Sequence, residues 1–342
     1  MQSFDFVDEQ LRPAVHSFVG QSVLPNDSIL LQRTPFTYRS TSWDVFWIAC
    51  QALQQQIKPQ WVFIDACWDP FSGSAEFIVE QRLRLNKIWP NSKVCILSSR
   101  AQHYYDNILG CVYFPLFLMI NYPDLVERPR LGRIGCLNRR NAVHRVWLMY
   151  HLLRDKLIDS QRDVYSVRFT NIYTNNYYNV NGTLGITWFN QVQEQWPKEI
   201  QTHPDGFPND YSIEHPAWHT GITIITETEP GADTLICEKT AKGILSKSCF
   251  TIYMDESGYR VLEDLGFQPR FFPEHAEEFN IEPIIKICRD ISTQSQAMEY
   301  RNMHMDKIQH NFNWFAYGQK SFQERPWWQN YRLKLQQALD SL

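Results

Sequence analysis

Several short stretches of this 342-residue chain hold side chains suited to a phosphorylated, hydroxyl-rich ligand. The run Cys237-Glu238-Lys239-Thr240 stands where a helix is predicted to begin. A carboxylate there can accept two hydrogen bonds from vicinal ribose hydroxyls, and the ammonium beside it can neutralise phosphate charge. The same pair reads equally well as a dipole-favoured Glu in a first turn with an exposed Lys. Far upstream, Asn138, Arg139 and Arg140 follow a strand-like run, and Arg145 falls in the first turns of the next helix. Guanidinium groups and helix N-terminal amides together suit a diphosphate, although Arg139 and Arg140 also read as solvated loop charges. Thr226-Glu227-Thr228-Glu229 ends a β-branched strand with a polar burst able to meet a ribose or sugar hydroxyl, as many strands leaving a core do. In the first half, Asp65 and Asp69 follow a strand-like run within Asp65-Ala-Cys-Trp-Asp69-Pro. A carboxylate in that place can act as a general base or cap the turn before Pro70.

Ligands of open α/β sheets bind beyond the carboxyl ends of the strands, so the elements decide whether these residues meet. Apolar runs at 28–32, 61–64 and 93–97 have the length of buried strands, and 42–55 and 74–87 between them carry helical spacing. Ser42 is the expected N-cap of the first helix. That rhythm predicts a parallel sheet with covering helices. Prolines 123 and 129 mark a linker over 121–132. A second alternating unit follows: a strand at 133–137, then a helix with Val146, Met149, Leu152 and Leu153 on one face. The polar stretch 171–185 reads as loop. Beyond it come a strand at 220–226, a helix at 238–247, a strand at 250–253 and a helix at 259–265 ended by Gly266. From residue 284 the chain reads as helical, broken at Arg325-Pro326.

Composition removes whole classes. Hydrophobic content of 44% is that of a globular protein, which excludes disordered and fibrous chains. No window approaches the roughly 18 apolar residues of a membrane span. The start, Met1-Gln-Ser-Phe-Asp, has neither part of a secretion signal, so a cytoplasmic protein is expected. Eight scattered cysteines without a C-x-x-C pair read as free thiols in a reducing compartment, with no disulfide framework or structural zinc. A net charge of −4 argues against wholesale nucleic-acid coating, yet residues 127–168 hold ten Lys or Arg against four Asp or Glu. Near the C-terminus, Arg325, Trp327, Trp328 and Arg332 mix cations with aromatics. Such a mixture can track phosphates and stack a base, and it also fits an aromatic helix packing back on the domains.

Two ordered motifs carry a resemblance. The run from Thr226-Glu-Thr through Cys237-Glu-Lys-Thr-Ala-Lys-Gly-Ile and Cys249-Phe-Thr-Ile-Tyr to Gly258-Tyr-Arg-Val-Leu-Glu-Asp-Leu-Gly-Phe267 resembles the donor-binding half of α-1,3-fucosyltransferase-like enzymes, and is similar to glycosyltransferases of phages and bacteria. Cys136-Leu-Asn-Arg-Arg-Asn-Ala-Val-His-Arg-Val146 resembles the Leu-Asn-Arg segment of the same group. Two departures stand out: Cys237 replaces a Ser or Thr, and Lys247-Ser-Cys249 stands where a proline often precedes the strand.

The resemblance covers about residues 133–272. It implies an α/β, GT-B-like architecture of two Rossmann-like domains facing across a cleft, with a C-terminal helical extension. The expected bounds are 1–126 for an acceptor-side domain, 127–290 for a nucleotide-sugar-binding domain and 291–342 for an extension packing back on both. It implies that Glu238 holds the donor ribose, Lys239 and Arg145 the diphosphate, and that Glu227 or Thr228 lines the donor pocket.

The expected activity is inverting transfer of a sugar from a UDP- or GDP-sugar co-substrate to an acceptor hydroxyl. Fixed cations stabilise the charge that builds on the leaving diphosphate, so no metal and no other cofactor is expected. Asp65 or Asp69 would be the base. A glycan or other small acceptor is the first expectation. The alternative is a phage enzyme that glycosylates a hydroxymethylated base of duplex DNA in the host cytoplasm, with Arg325, Trp327, Trp328 and Arg332 on the acceptor. A non-catalytic nucleotide-sugar-binding protein is the remaining reading.

Overall fold

The computed structural model describes residues 1–7, 10–13, 24–33, 43–67, 75–101, 104, 110–120, 122, 129–130, 132–138, 142–168, 199–201, 215–227, 235–272, 280–316 and 321–342. They form two compact units, one of Met1–Ile120 with Tyr331–Leu342 and one of Asn121–Asn330. The segment read as a single C-terminal extension is thus divided, with its last residues counted in the first unit.

The first unit is built on β1 (Gln2–Val7), β2 (Gln10–Pro13), β3 (Ser28–Arg33), β4 (Trp61–Asp65), β5 (Lys93–Ser98) and β6 (Cys111–Tyr113). The order is β2-β1-β3-β4-β5-β6, and every neighbour is parallel except the antiparallel β1–β2 pair. The central strands are continuous apolar runs because both faces are covered. Helices α1 (Trp43–Gln54) and α2 (Ala75–Ile88) flank β4 in the chain. Phe46, Trp47, Cys50 and Leu53 of α1 join Leu85 of α2 over Ile29, Leu31, Val62, Ile64, Val94 and Ile96. A short helix α3 (Leu116–Met119) follows β6. The chain passes from β1 to β2, returns to lay β3 on the other side of β1, and then steps in one direction through β4 and β5 to β6. Ser42 lies outside the described residues.

The second unit contains β7 (Gly132–Leu137), α4 (Val143–Arg154), β8 (Val164–Arg168), β9 (Glu199–Gln201), β10 (Thr220–Thr226), α5 (Glu238–Leu245), β11 (Cys249–Tyr253) and α6 (Glu256–Asp264). Helices α7 (Glu282–Asp290), α8 (Gln294–Met303), α9 (Met305–Ala316) and α10 (Pro326–Asp340) complete the described elements. The sheet order is β11-β10-β7-β8-β9, with only β9 antiparallel to its neighbour. The chain builds outward from β7 to β9, then returns to lay β10 on the other side of β7. Strand order therefore reverses between β7 and β10, the Rossmann-like winding that opens a ligand crevice at the strand ends.

The faces follow from this reversal. Val146, Met149, Leu152 and Leu153 of α4 pack with Ile134, Cys136 and Ile224 on one face. Ile225 turns to the other, where α5 passes so closely that a Cβ on Gly243 would lie 2.5 Å from Ile225 Cδ1. Glycine lets helix and strand approach at that point. Helix α6 ends at Gly266, φ +93°, whose amide donates to Glu263 O at 2.8 Å while Phe267 N donates to Leu262 O at 2.9 Å. These are the two bonds of a Schellman stop.

Among the described residues of the basic stretch 127–168, the cations do not form one charged surface. Arg133 is buried against Asp163, with Nε–Oδ1 3.0 Å and Nη2–Oδ2 2.8 Å, and it also donates to Ile291 O at 2.9 Å. Arg130 donates to Trp218 O and to Ser246 O, while Arg154 and Arg162 pair with Asp155 and Asp159. Position along the chain put these cations together; packing sends several of them inward. Among the described residues no helix is long and apolar enough to cross a membrane.

Candidate functional site

Asn138, Thr226 and Glu227 are the first residues past β7 and at the end of β10, so they stand where strand order reverses. The Thr226 hydroxyl donates to Asn138 Oδ1 at 2.6 Å, and Asn138 Nδ2 reaches Cys136 Sγ at 3.3 Å. Arg145, in the first turn of α4, is 2% exposed. Its Nη2 donates to Thr226 O at 3.2 Å and to Glu227 O at 3.1 Å. His144 Nε2 lies 3.0 Å from the same Glu227 carbonyl. A carbonyl only accepts, so this nitrogen carries the proton. Burial, and then the Arg145 charge, hold the His144 ring well below the ordinary histidine range, so it stays neutral.

Arg145 was expected to face a diphosphate. It is instead buried, with Nη2 turned onto backbone carbonyls. The Thr226 and Glu227 carbonyls at the end of β10 accept from it, as buried carbonyls require a donor. Asn138 is likewise buried, joined to Thr226.

Glu227 is fully buried. Its Oε1 accepts from Cys237 N at 3.3 Å and from the Thr240 hydroxyl, and its Oε2 accepts from Cys237 Sγ at 2.5 Å. Burial lifts the carboxyl above the ordinary range, against the pull of Lys239 and the hydrogen bonds. The Cys237 thiol is pushed well up, first by burial and then by Glu227 beside it. Such a thiol is inert toward electrophiles.

Glu238 and Lys239, the next two residues, are partly exposed at the start of α5. Burial works against a charged Glu238, but Lys239 and Lys242 outweigh it and hold the carboxyl below its ordinary range. Glu238 is therefore a carboxylate, an acceptor for hydroxyl donors. Lys239 Nζ lies 3.8 Å from Cys237 Sγ. Arg139, Arg140 and Thr228 lie outside the described residues.

In the first unit, Asp65 closes β4 and is 4% exposed. Oδ1 accepts the Cys67 amide at 2.9 Å, a local turn, and Oδ2 accepts from Gln32 Nε2 at 3.3 Å. Gln32 and Asp65 are register partners on adjacent strands. Asp69 lies outside the described residues.

Three of the four C-terminal candidates are interior. Trp327 is completely buried, Trp328 packs edge-on to Phe322, and Arg325 lies 5.0 Å over the Phe315 ring. Burial lowers the Arg325 guanidinium to about 10. Only Arg332 is exposed. The apolar area of two indoles drives this segment into an interior.

Residues missed from sequence are the partners. Thr240 belonged to the quoted Glu-Lys-Thr motif, and Gln32 ended a predicted strand beside that of Asp65. Nothing local marked His144 or the Arg133–Asp163 pair.

Fold and site together define a class: an α/β protein of two Rossmann-like units with a polar cluster at the crevice of the second. No family model and no curated protein matches the chain. Among solved structures it is similar to a DNA-modifying beta-glucosyltransferase studied with and without uridine diphosphoglucose, at 11% identity and TM-score 0.39, over 90% of this chain and 86% of that one. T4 phage BGT with UDP-glucose gives 12% identity and TM-score 0.36, over 90% and 87% of the two chains. The same enzyme with UDP and Mn2+ gives 12% and 0.35, over 88% and 84%.

Proposed function

We propose that the protein is a glycosyltransferase that binds a nucleoside-diphosphate sugar at the start of α5. One observation carries the reading: an adjacent carboxylate and ammonium, Glu238 and Lys239, open the helix that follows β10, the strand beside which sheet order reverses. Glu238 accepts from the ribose hydroxyls, and Lys239 neutralises the diphosphate. As the acceptor oxygen bonds to the anomeric carbon, the bond from that carbon to the diphosphate breaks. Lys239 then stabilises the charge left on the nucleoside diphosphate. The acceptor proton passes to a carboxylate, for which Asp65 and Asp69 are the candidates. The test is a thermal-shift panel of UDP-, GDP-, CMP- and dTDP-sugars. A donor at about 100 times its dissociation constant adds about 2.7 kcal/mol. A panel without a shift overturns the reading. EDTA is expected to leave turnover nearly unchanged, and full loss restored by Mg2+ or Mn2+ would assign the charge to a metal instead.

The acceptor is proposed as the hydroxyl of a glycan or another small molecule. Duplex DNA is the alternative, although Arg332 is the one exposed residue of the four C-terminal candidates. A fluorescent hydroxymethylated duplex titrated at low and physiological salt separates the two. DNA binding falls steeply, with a log–log slope near −0.9 per phosphate contact, whereas glycan binding stays nearly flat.

A further inference from the structure

Glu227 is an expensive residue to place in an interior. A buried carboxyl costs several kcal/mol unless its oxygens find partners. Here the partners come from one short stretch of chain: Cys237, through its amide and its thiol, and Thr240, through its hydroxyl. These two residues bracket Glu238 and Lys239. On its backbone side, Glu227 is held by Arg145 and His144 from α4. One residue therefore ties the end of β10, the first turn of α4 and the first turn of α5 together.

We propose that Glu227 is a positioning residue for donor recognition: through Cys237 and Thr240 it sets the first turn of α5, and with it the direction of Glu238 and Lys239. It does this without touching the donor. The inference rests on the donor-site reading of that helix start. A free first turn would let the two charged side chains sample many orientations, and a displacement of about 1 Å can cost on the order of 100-fold in a pre-organised site.

Glutamine separates shape from charge. In Glu227→Gln the amide oxygen can keep the Cys237 N–H and Thr240 hydroxyl, while the amide nitrogen donates to Cys237 Sγ. Glu227→Ala removes all three bonds. Two readouts are needed: hydrogen exchange of the peptide spanning 235–245 without ligand, and calorimetric binding of UDP, GDP and their sugars per folded molecule.

In Glu227→Ala, exchange in that peptide is expected to rise by about tenfold or more while distant β-sheet peptides keep their protection. Nucleotide affinity is expected to fall by about tenfold or more, and Glu227→Gln to restore both to within about threefold of wild type. Unchanged exchange in Glu227→Ala, or lost protection with unchanged affinity, overturns the proposal. Should Glu227→Ala not fold, Thr240→Val removes one bond alone, and it must show the same two effects at smaller size or the proposal fails. A wild type that binds none of the nucleotides ends the donor-site reading and this proposal together. Binding by the wild type, undiminished in the alanine variant, ends this proposal alone.

Discussion

The Thr226 hydroxyl donates to Asn138 Oδ1 across 2.6 Å, joining the ends of β10 and β7 where strand order reverses. Both side chains are buried, so this bond satisfies the Thr226 hydroxyl and the Asn138 amide oxygen away from water. Thr226→Val keeps the shape and removes the donor. It is expected to cost about 1–3 kcal/mol, read as a lower urea midpoint at unchanged slope. A midpoint equal to wild type would show that the link does not stabilise the crevice.

Lys239 and Arg145 should separate cleanly. Lys239→Ala removes a partly exposed cation, so stability is expected to stay within about 0.5 kcal/mol while transfer loses about 1.5–3 kcal/mol. Arg145→Ala takes a donor from the Thr226 and Glu227 carbonyls and is expected to destabilise the fold by about 3 kcal/mol or more. Thermal melts beside initial rates check both. A stable Arg145→Ala that has lost only activity would return Arg145 to the donor.

The Arg133–Asp163 pair is expected to behave as a buried ion pair. Asp163→Ala leaves the guanidinium uncompensated beside the Ile291 and Cys288 carbonyls, at a cost of about 3–5 kcal/mol. A paired replacement by apolar residues of similar volume should recover much of it. Equal melting of Asp163→Ala and wild type would contradict the assignment.

Acid should loosen the start of α6. Burial disfavours a charged Glu256, yet Arg270, at 2.5 Å, outweighs it and holds the carboxyl below its ordinary range. The folded value lies below the unfolded one. The stabilisation is therefore present above the unfolded pKa and is lost as pH falls through the folded one. Melting temperature between about pH 6 and about pH 3 should fall further in wild type than in Arg270→Gln. Parallel curves would remove Glu256 from the acid response.

Lys156, just past α4, has φ +55° without being glycine. Its amide donates to Leu153 O and Leu157 N donates to Leu152 O, the same stop seen at Gly266. Lys156→Gly relieves the left-handed strain and is expected to raise stability by about 0.5–1 kcal/mol in urea titration. A loss of stability would show that the Lys side chain contributes more than the strain costs.

Local pattern was enough for the elements. Continuous apolar runs marked β3, β4 and β5 because a parallel strand covered on both faces has no polar side, and β-branched residues marked β10. Gly266 marked the end of α6 because a left-handed residue there favours glycine. The charged pair Glu238-Lys239 was legible for the same reason: helix starts select residues within one turn. Which way Arg145 and Glu227 face was not legible. An arginine after a strand has the same letter whether it meets a phosphate or a buried carbonyl, and the Thr226 and Glu227 carbonyls reach Arg145 only after β7 and β10 become neighbours. Trp327 and Trp328 fitted a stacking surface and an inward-packing helix alike, and only packing placed them in an interior. Sequence determined the segments, through contacts a few residues apart. Tertiary structure decided the direction of each polar side chain, because burial, and the partners burial demands, come from residues distant in the chain.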